Sequence, residues 1–436
     1  MPTDPSLSPG TPSQTLRHSL APVAWAIYLA ASWTWCIGMF LPVLLVRDHG
    51  VLGFVTFALP NCLGAAAMGW VLAKRFKPLP PAADSDMPVR HAPAVAAFSV
   101  VTIAFHAFFL MWAATWILPF LDLPGVAGLG THAGPLLALV LLLIVGDVLV
   151  HAGKSVRYAF GVWALSAVFL VALALSPSAL SPPPTDFFEA PGPGAVRGLL
   201  FLIPVCVFGF LLCPYLDATF HHAARAAHAQ AGVAGVRVAF TLGFLVFFAA
   251  MILATLFYSG FFIAIFDADP ATVPTLSRPL SVMLVLHLLA QAVFTVQIHR
   301  HRLTALVEAA APLSRWAVPT LWTTVVGALA LGYFWRLLPA LAPAPMTTGE
   351  AIYRVFMSFY GLVFPAYVWI CMIPTADGHA GLAGPRGRFK LIVLLGAVAL
   401  AAPCYWLGFI AREWVWLAPG LGVVLLGRLA VRRGPS

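Results

Sequence analysis

Two carboxylates lie where carboxylates are costly. Asp147 sits in GDVLVHAGK and Asp217 in LCPYLDATFHH, both inside long apolar runs. An ionisable group at membrane depth is a functional candidate by default. Each precedes a histidine by four residues, His151 and His221, which places carboxyl and imidazole on one helical face. Burial raises a carboxylate pKa and a nearby cation lowers it, so either pair could relay a proton. For Asp147 the alternative is a structural ion pair at a helix end, with Lys154 reaching the interface. Asp217 follows Pro214, so it could cap a half-helix, bind a cationic substrate or carry a coupling proton. His287, Gln291 and Thr295 recur every four residues on an otherwise apolar stretch. A polar stripe of this kind faces protein or water rather than lipid. His106 is a further mid-span histidine. The histidines His221, His222, His228, His299 and His301 cluster near predicted span ends, but H-H-x5-H and H-x-H are not a consistent metal-ligand set. Those at span ends near arginine read as solvated, and no metal or cofactor is expected. The cysteines Cys36, Cys62, Cys206, Cys213, Cys371 and Cys404 lie unpaired in apolar runs and read as small buried hydrophobes.

The elements that must hold these groups are membrane helices. Of the 436 residues, 61% are hydrophobic and 9% charged. Soluble domains carry about 25% charged residues. The mean hydropathy of +0.94 spans the whole chain, not one anchor. Apolar runs of about 20 residues are each long enough to cross a bilayer as a helix. Twelve spans are predicted: 22–46, 51–73, 93–118, 134–153, 158–176, 197–221, 236–265, 280–298, 316–338, 351–373, 389–410 and 413–431. Residues 1–21 form a polar leader, residues 22–436 the transmembrane domain, and 177–196 an irregular Pro-rich loop. With the N-terminus inside, 18 of the 24 Lys and Arg residues fall on inner segments and 6 on outer ends. The bias alternates loop by loop, which predicts an even span count and both termini cytoplasmic; the expected location is a bacterial inner membrane. The charge of +9 is therefore membrane topology and does not point to nucleic acid.

Two spans carry helix breakers near their middles. Span 1, ASWTWCIGMFLPVLLVRDHG, has Gly38 and Pro42; span 6, FLIPVCVFGFLLCPYLDATFHH, has Pro204, Gly209 and Pro214. Proline removes a backbone donor and clashes with the preceding turn. Unwound backbone inside a membrane must face protein or a wet cavity. Interrupted helices at matching places in two halves point to a transporter site. Spans 1 and 6 run in opposite directions, as five plus five inverted helices require, with spans 11 and 12 as additions.

These features resemble the amino acid–polyamine–organocation superfamily with the LeuT-type fold. LCPYLDATFHH is also loosely similar to the Met-Pro-His-Asn stretch of natural-resistance metal transporters. Span 1 lacks the Asp-Pro-Gly-Asn stretch of those proteins. The superfamily resemblance implies a secondary transporter, symporter or exchanger, of a small organic solute such as an amino acid, amine or nucleobase. Alternating access would work around a midplane site lined by spans 1, 3, 6, 8 and 10. The positions that map to it are Trp33, Trp35, Cys36, Gly38, Met39, His106, Trp112, Phe208, Gly209, Phe210, Cys213, Tyr215, Ser358 and Tyr360. Their aromatic content suits flat or cationic groups. Coupling candidates are Asp217, Asp147, His287, Gln291 and Thr295, with proton and sodium both open. Sodium-coupled members place adjacent hydroxyls on span 8, whereas Phe294 and Val296 flank Thr295 here. No GxxxxGK[ST] loop is present to bind ATP. A membrane-embedded metal-dependent enzyme or metal transporter, and a transporter-like sensor, remain the alternatives.

Overall fold

The computed structural model describes residues 12–74, 87–123, 143–151, 153–176, 193–267, 276–309, 314–343, 346–373 and 384–433. Among them regular structure is helical throughout, apart from one isolated bridge between Leu121 and Leu276. Among the described residues ten helices are long and apolar enough to cross a membrane, or eleven when the bent pair Leu20–Trp33 and Cys36–His49 is one span. The chain is thus an all-helical, multi-pass membrane protein. The helices overlap the predicted spans 1–3 and 5–12. Most of the predicted span 4 lies outside the described residues, as does most of the loop 177–196; residues 143–151 of span 4 are helical.

Span 1 breaks, but not where its glycine and proline stand. The first half ends at Trp33, the second starts at Cys36, and the two meet at 59°. Gly38 and Pro42 both lie inside the second half. The break is set by tertiary partners: the Trp35 amide turns back to the Trp33 carbonyl at 2.9 Å, and the Cys36 amide leaves the helix ladder altogether. Span 6 breaks at Pro214. Helix Pro193–Leu212 keeps Pro204 and Gly209 inside it, tightens into a 3-10 turn over Cys213–Leu216, and stops at the extended residue Asp217.

After Asp217 the chain departs from expectation. A loop is expected between residues 221 and 236, yet the helix runs on to Gln230 and only Ala231 and Gly232 of this segment are non-helical. AARAAHAQA is rich in alanine, the best helix former, so the stretch stays helical beyond the predicted end of span 6. It ends at a two-residue kink, Ala231 and Gly232, where Gly232 has φ 64° and ψ −163°. Only glycine takes that conformation without strain. Span 7 follows at once, with a π-helical turn at Gly243–Phe248.

Packing places spans 1, 3, 6 and 8 around the two breaks. Span 1 packs on spans 5, 6 and 7; span 6 packs on spans 2, 3 and 10; span 3 packs on spans 8, 9 and 10; span 8 packs on spans 1, 3 and 5. Gln297 of span 8 also donates to the Leu143 carbonyl of span 4 at 2.8 Å. Spans 11 and 12 pair with each other and lean on spans 6 and 10 from outside this group.

Candidate functional site

Trp35 fills the space between the breaks. It is buried and meets Trp33 at 4.5 Å, Phe98, His299 and Tyr360 at 5.4 Å each, and His106 at 6.3 Å between ring centroids. Its indole N–H donates to the Ser32 carbonyl. These rings come from spans 1, 3, 8 and 10. Trp33 is held by its own indole N–H, which donates to Asn61 of span 2 at 2.6 Å. The other face of Trp33 lies on Phe220 of span 6 at 4.9 Å.

The freed backbone of span 1 is met by side chains. His106 takes the Cys36 amide at 3.4 Å on Nε2, and its Nδ1 lies 2.7 Å from the Thr102 carbonyl. A carbonyl only accepts, so Nδ1 carries the proton and Nε2 the lone pair; this is the tautomer the contacts assign. His106 therefore substitutes for a helix carbonyl. Tyr353 donates to the Cys36 carbonyl at 3.0 Å and Tyr258 to the Met39 carbonyl at 2.6 Å. Span 6 is closed off by Asp217. Its Oδ1 accepts from both the Thr219 amide and the Thr219 hydroxyl at 2.7 Å, an N-cap of the helix that follows.

The second Asp217 oxygen has no hydrogen-bond partner. It faces Nε2 of His299 at 3.8 Å, and that nitrogen is also without a hydrogen-bond partner. Both side chains are fully buried. His299 had read as a solvated end residue because span 8 was expected to stop at 298. The helix Arg278–Ala309 continues, and His299 is one further step of the stripe His287, Gln291, Thr295. All four are buried. Gln291 Oε1 and Thr295 Oγ1 lack partners as well. The outer part of the stripe is tied to span 5: Gln291 donates to Ser166 at 3.0 Å and His287 meets the same hydroxyl at 2.9 Å.

The remaining expected positions divide. Tyr360 joins the site, its hydroxyl 2.9 Å from that of Thr102, and Cys213 donates to the Tyr360 carbonyl at 3.0 Å. Gly209 and Phe210 line a small apolar cavity of about 50 Å³ with Ser358, Tyr360 and Tyr405. A side chain at Gly209 would meet the Tyr360 carbonyl at 3.0 Å, so spans 6 and 10 approach closely there. Gly38 faces Phe248 and Ile252 of span 7, Phe208 packs on Trp369, Trp112 packs on Tyr353 and Phe40, and Tyr215 is half-buried. None of these four touches Trp35 in a ring contact. Asp147 also stands apart: it is 38% exposed and pairs with Arg300 and with His151 at 3.2 Å. Its strong partner is Arg300, not Lys154.

A second buried polar group went unforeseen. Asp48 and Glu350 lie just beyond the predicted limits of spans 1 and 10, but the helices Cys36–His49 and Thr348–Ser358 include them. Arg354 is wholly buried and bonds Glu350 at 2.9 Å and Asp48 at 2.6 Å. Arg47 grips Glu350 with two nitrogens, at 3.0 and 2.6 Å, and Arg412 reaches the same carboxylate at 3.3 Å. The cluster joins the end of span 1, the start of span 10 and the linker between spans 11 and 12.

Neither protein-family models nor characterised proteins yield a match to this chain.

Proposed function

We propose that the protein is a secondary transporter of a small organic solute. The solute sits between the breaks of spans 1 and 6, with Trp33, Trp35, Phe98, Tyr360 and His299 around it. The observation that carries this reading is that the two breaks converge on one residue: His299 of span 8 lies 5.4 Å from Trp35 and 3.8 Å from Asp217. Irregular backbone at membrane depth serves to line a path or a site.

The packing of the spans supports a LeuT-like repeat. Adding or subtracting five converts most span contacts into other observed contacts. Span 1 on 5 becomes 6 on 10, 1 on 7 becomes 6 on 2, 3 on 9 becomes 8 on 4, and 8 on 5 becomes 3 on 10. Span 5 on 7 has no comparable counterpart among the described residues. Kinship with the amino acid–polyamine–organocation superfamily, an inner-membrane location and cytoplasmic termini complete the reading, the last on the Lys and Arg distribution.

The cavity beside Gly209, about 50 Å³, is far below the roughly 300–1,000 Å³ of ligand sites. On this reading the structure is a closed form, with Trp35 in the solute's place and the Asp48–Glu350 cluster latching spans 1 and 10. The test is thermal stability of the purified protein against amino acids, amines and nucleobases, with sodium and pH varied. A ligand at 100 times its Kd stabilises by about 2.7 kcal/mol. Counterflow of that solute in proteoliposomes, weakened by Trp35→Ala, is the expected sequel. A panel on which no organic solute stabilises the protein sinks the reading.

A further inference from the structure

The described carboxylates inside the helix bundle are not alike in their partners. Asp48 and Glu350 each touch arginines, and Asp147 is partly exposed beside Arg300. Asp217 is fully buried, and the group that faces its free oxygen is a histidine, which is a cation only when protonated. Resting on the transport reading above, we propose that Asp217 and His299 form a proton-binding site, and that the proton they share is the coupling ion.

The geometry supports this in three ways. Oδ2 and Nε2 face each other at 3.8 Å, each without a hydrogen-bond partner, so a charge gained or lost on one acts directly on the other. Oδ1 is already committed to Thr219, so the cap does not depend on the state of Oδ2. His299 Nδ1 lies 3.3 Å from the Ser99 hydroxyl, which can accept from or donate to it and so suits either form of the ring. With one proton between them the pair is net neutral. Loss of that proton leaves a lone buried carboxylate, which is costly without water or a cationic group. Proton release is thereby tied to opening of the site, and the proton moves from water on one side to the pair, then to water on the other.

The groups around the pair fit this assignment. Span 1 presents Tyr28 and Cys36, span 3 His106, span 6 Cys213 and His222, span 8 Arg302 and span 10 Tyr360. Arg302 is the fixed cation of this set, and its Nη1 lies 3.0 Å from His222 instead of from Asp217. His106 is committed to the Cys36 amide and the Thr102 carbonyl.

The test counts protons. Full-length protein in lipid vesicles is stepped between alkaline and acid pH, and bound protons are read with an indicator dye. Wild type should bind about one proton per chain more than Asp217→Asn over the range where the pair titrates. The asparagine keeps an oxygen for the Thr219 amide, so the fold should survive. His299→Gln should shift the titration of the remaining carboxyl. Equal proton counts in wild type and Asp217→Asn would overturn the site. Flux in the same vesicles separates this inference from the one beneath it. Counterflow that is indifferent to pH in wild type and unchanged in Asp217→Asn removes the coupling role and leaves transport standing. A pair that titrates in a chain carrying no solute supports the site and removes transport.

Discussion

Span 1 touches two buried polar groups, and they are built on opposite principles. At its far end the arginines Arg47, Arg354 and Arg412 and the acids Asp48 and Glu350 interlock, and each carboxylate touches more than one arginine. At its break, Asp217 Oδ2, His299 Nε2 and Thr295 Oγ1 are buried without partners. Buried polar atoms are nearly always paired, so two unpaired ionisable groups that face each other set this place apart from the cluster. The arginine–carboxylate cluster, in which only Arg412 Nε is left over among the atoms of these five side chains, holds helices together.

Substitutions can break this comparison, and the largest effect belongs to the cluster. Arg354→Met strands Asp48 and Glu350 with a reduced set of cations. Breaking a buried pair from one side costs about 3–5 kcal/mol. The loss should show as a large drop in thermal stability in detergent, and a variant as stable as wild type would mean the cluster is not structural. His106→Phe keeps the ring and removes the acceptor of the Cys36 amide. An orphaned buried donor costs about 1–3 kcal/mol, so a smaller drop is expected in the same assay, with a wider bend in span 1 by spin-label distances. Asp217→Asn should be close to neutral for stability, because the cap is retained, while abolishing the pH response of flux. A stability loss as large as that of Arg354→Met would erase the distinction between the two groups. Asp147→Asn sharpens the comparison from below. Its pair is partly exposed, and such pairs contribute about 0–1 kcal/mol, so unchanged stability and unchanged flux are expected.

Much of the scaffold was legible from hydropathy, because a bilayer imposes length and apolarity on each helix. The cap at Asp217 was legible too, since Pro214 ends a helix and Asp commonly begins one. The break of span 1 was misplaced because Gly38 and Pro42 are conspicuous, whereas the break at Thr34–Trp35 depends on His106, distant in sequence. His299 was one turn away from recognition: continuing the spacing of His287, Gln291 and Thr295 reaches it. The outer cluster had a weaker signal. Thr347 and Glu350 form a capping-box spacing, and Thr347 does accept from the Glu350 amide at 3.2 Å. Nothing local says that Glu350 will meet Arg47, some 303 residues earlier.

The kink at Ala231–Gly232 has a mechanical corollary. The helix after Asp217 and the start of span 7 are joined by two non-helical residues, so they share a pivot instead of a slack tether. A rigid arm that tilts about Asp217 must drag the foot of span 7 with it. Span 7 in turn bears on both halves of span 1. One short, two-residue joint thus couples the helix after Asp217 to span 7 and, through span 7, to both halves of the broken span 1.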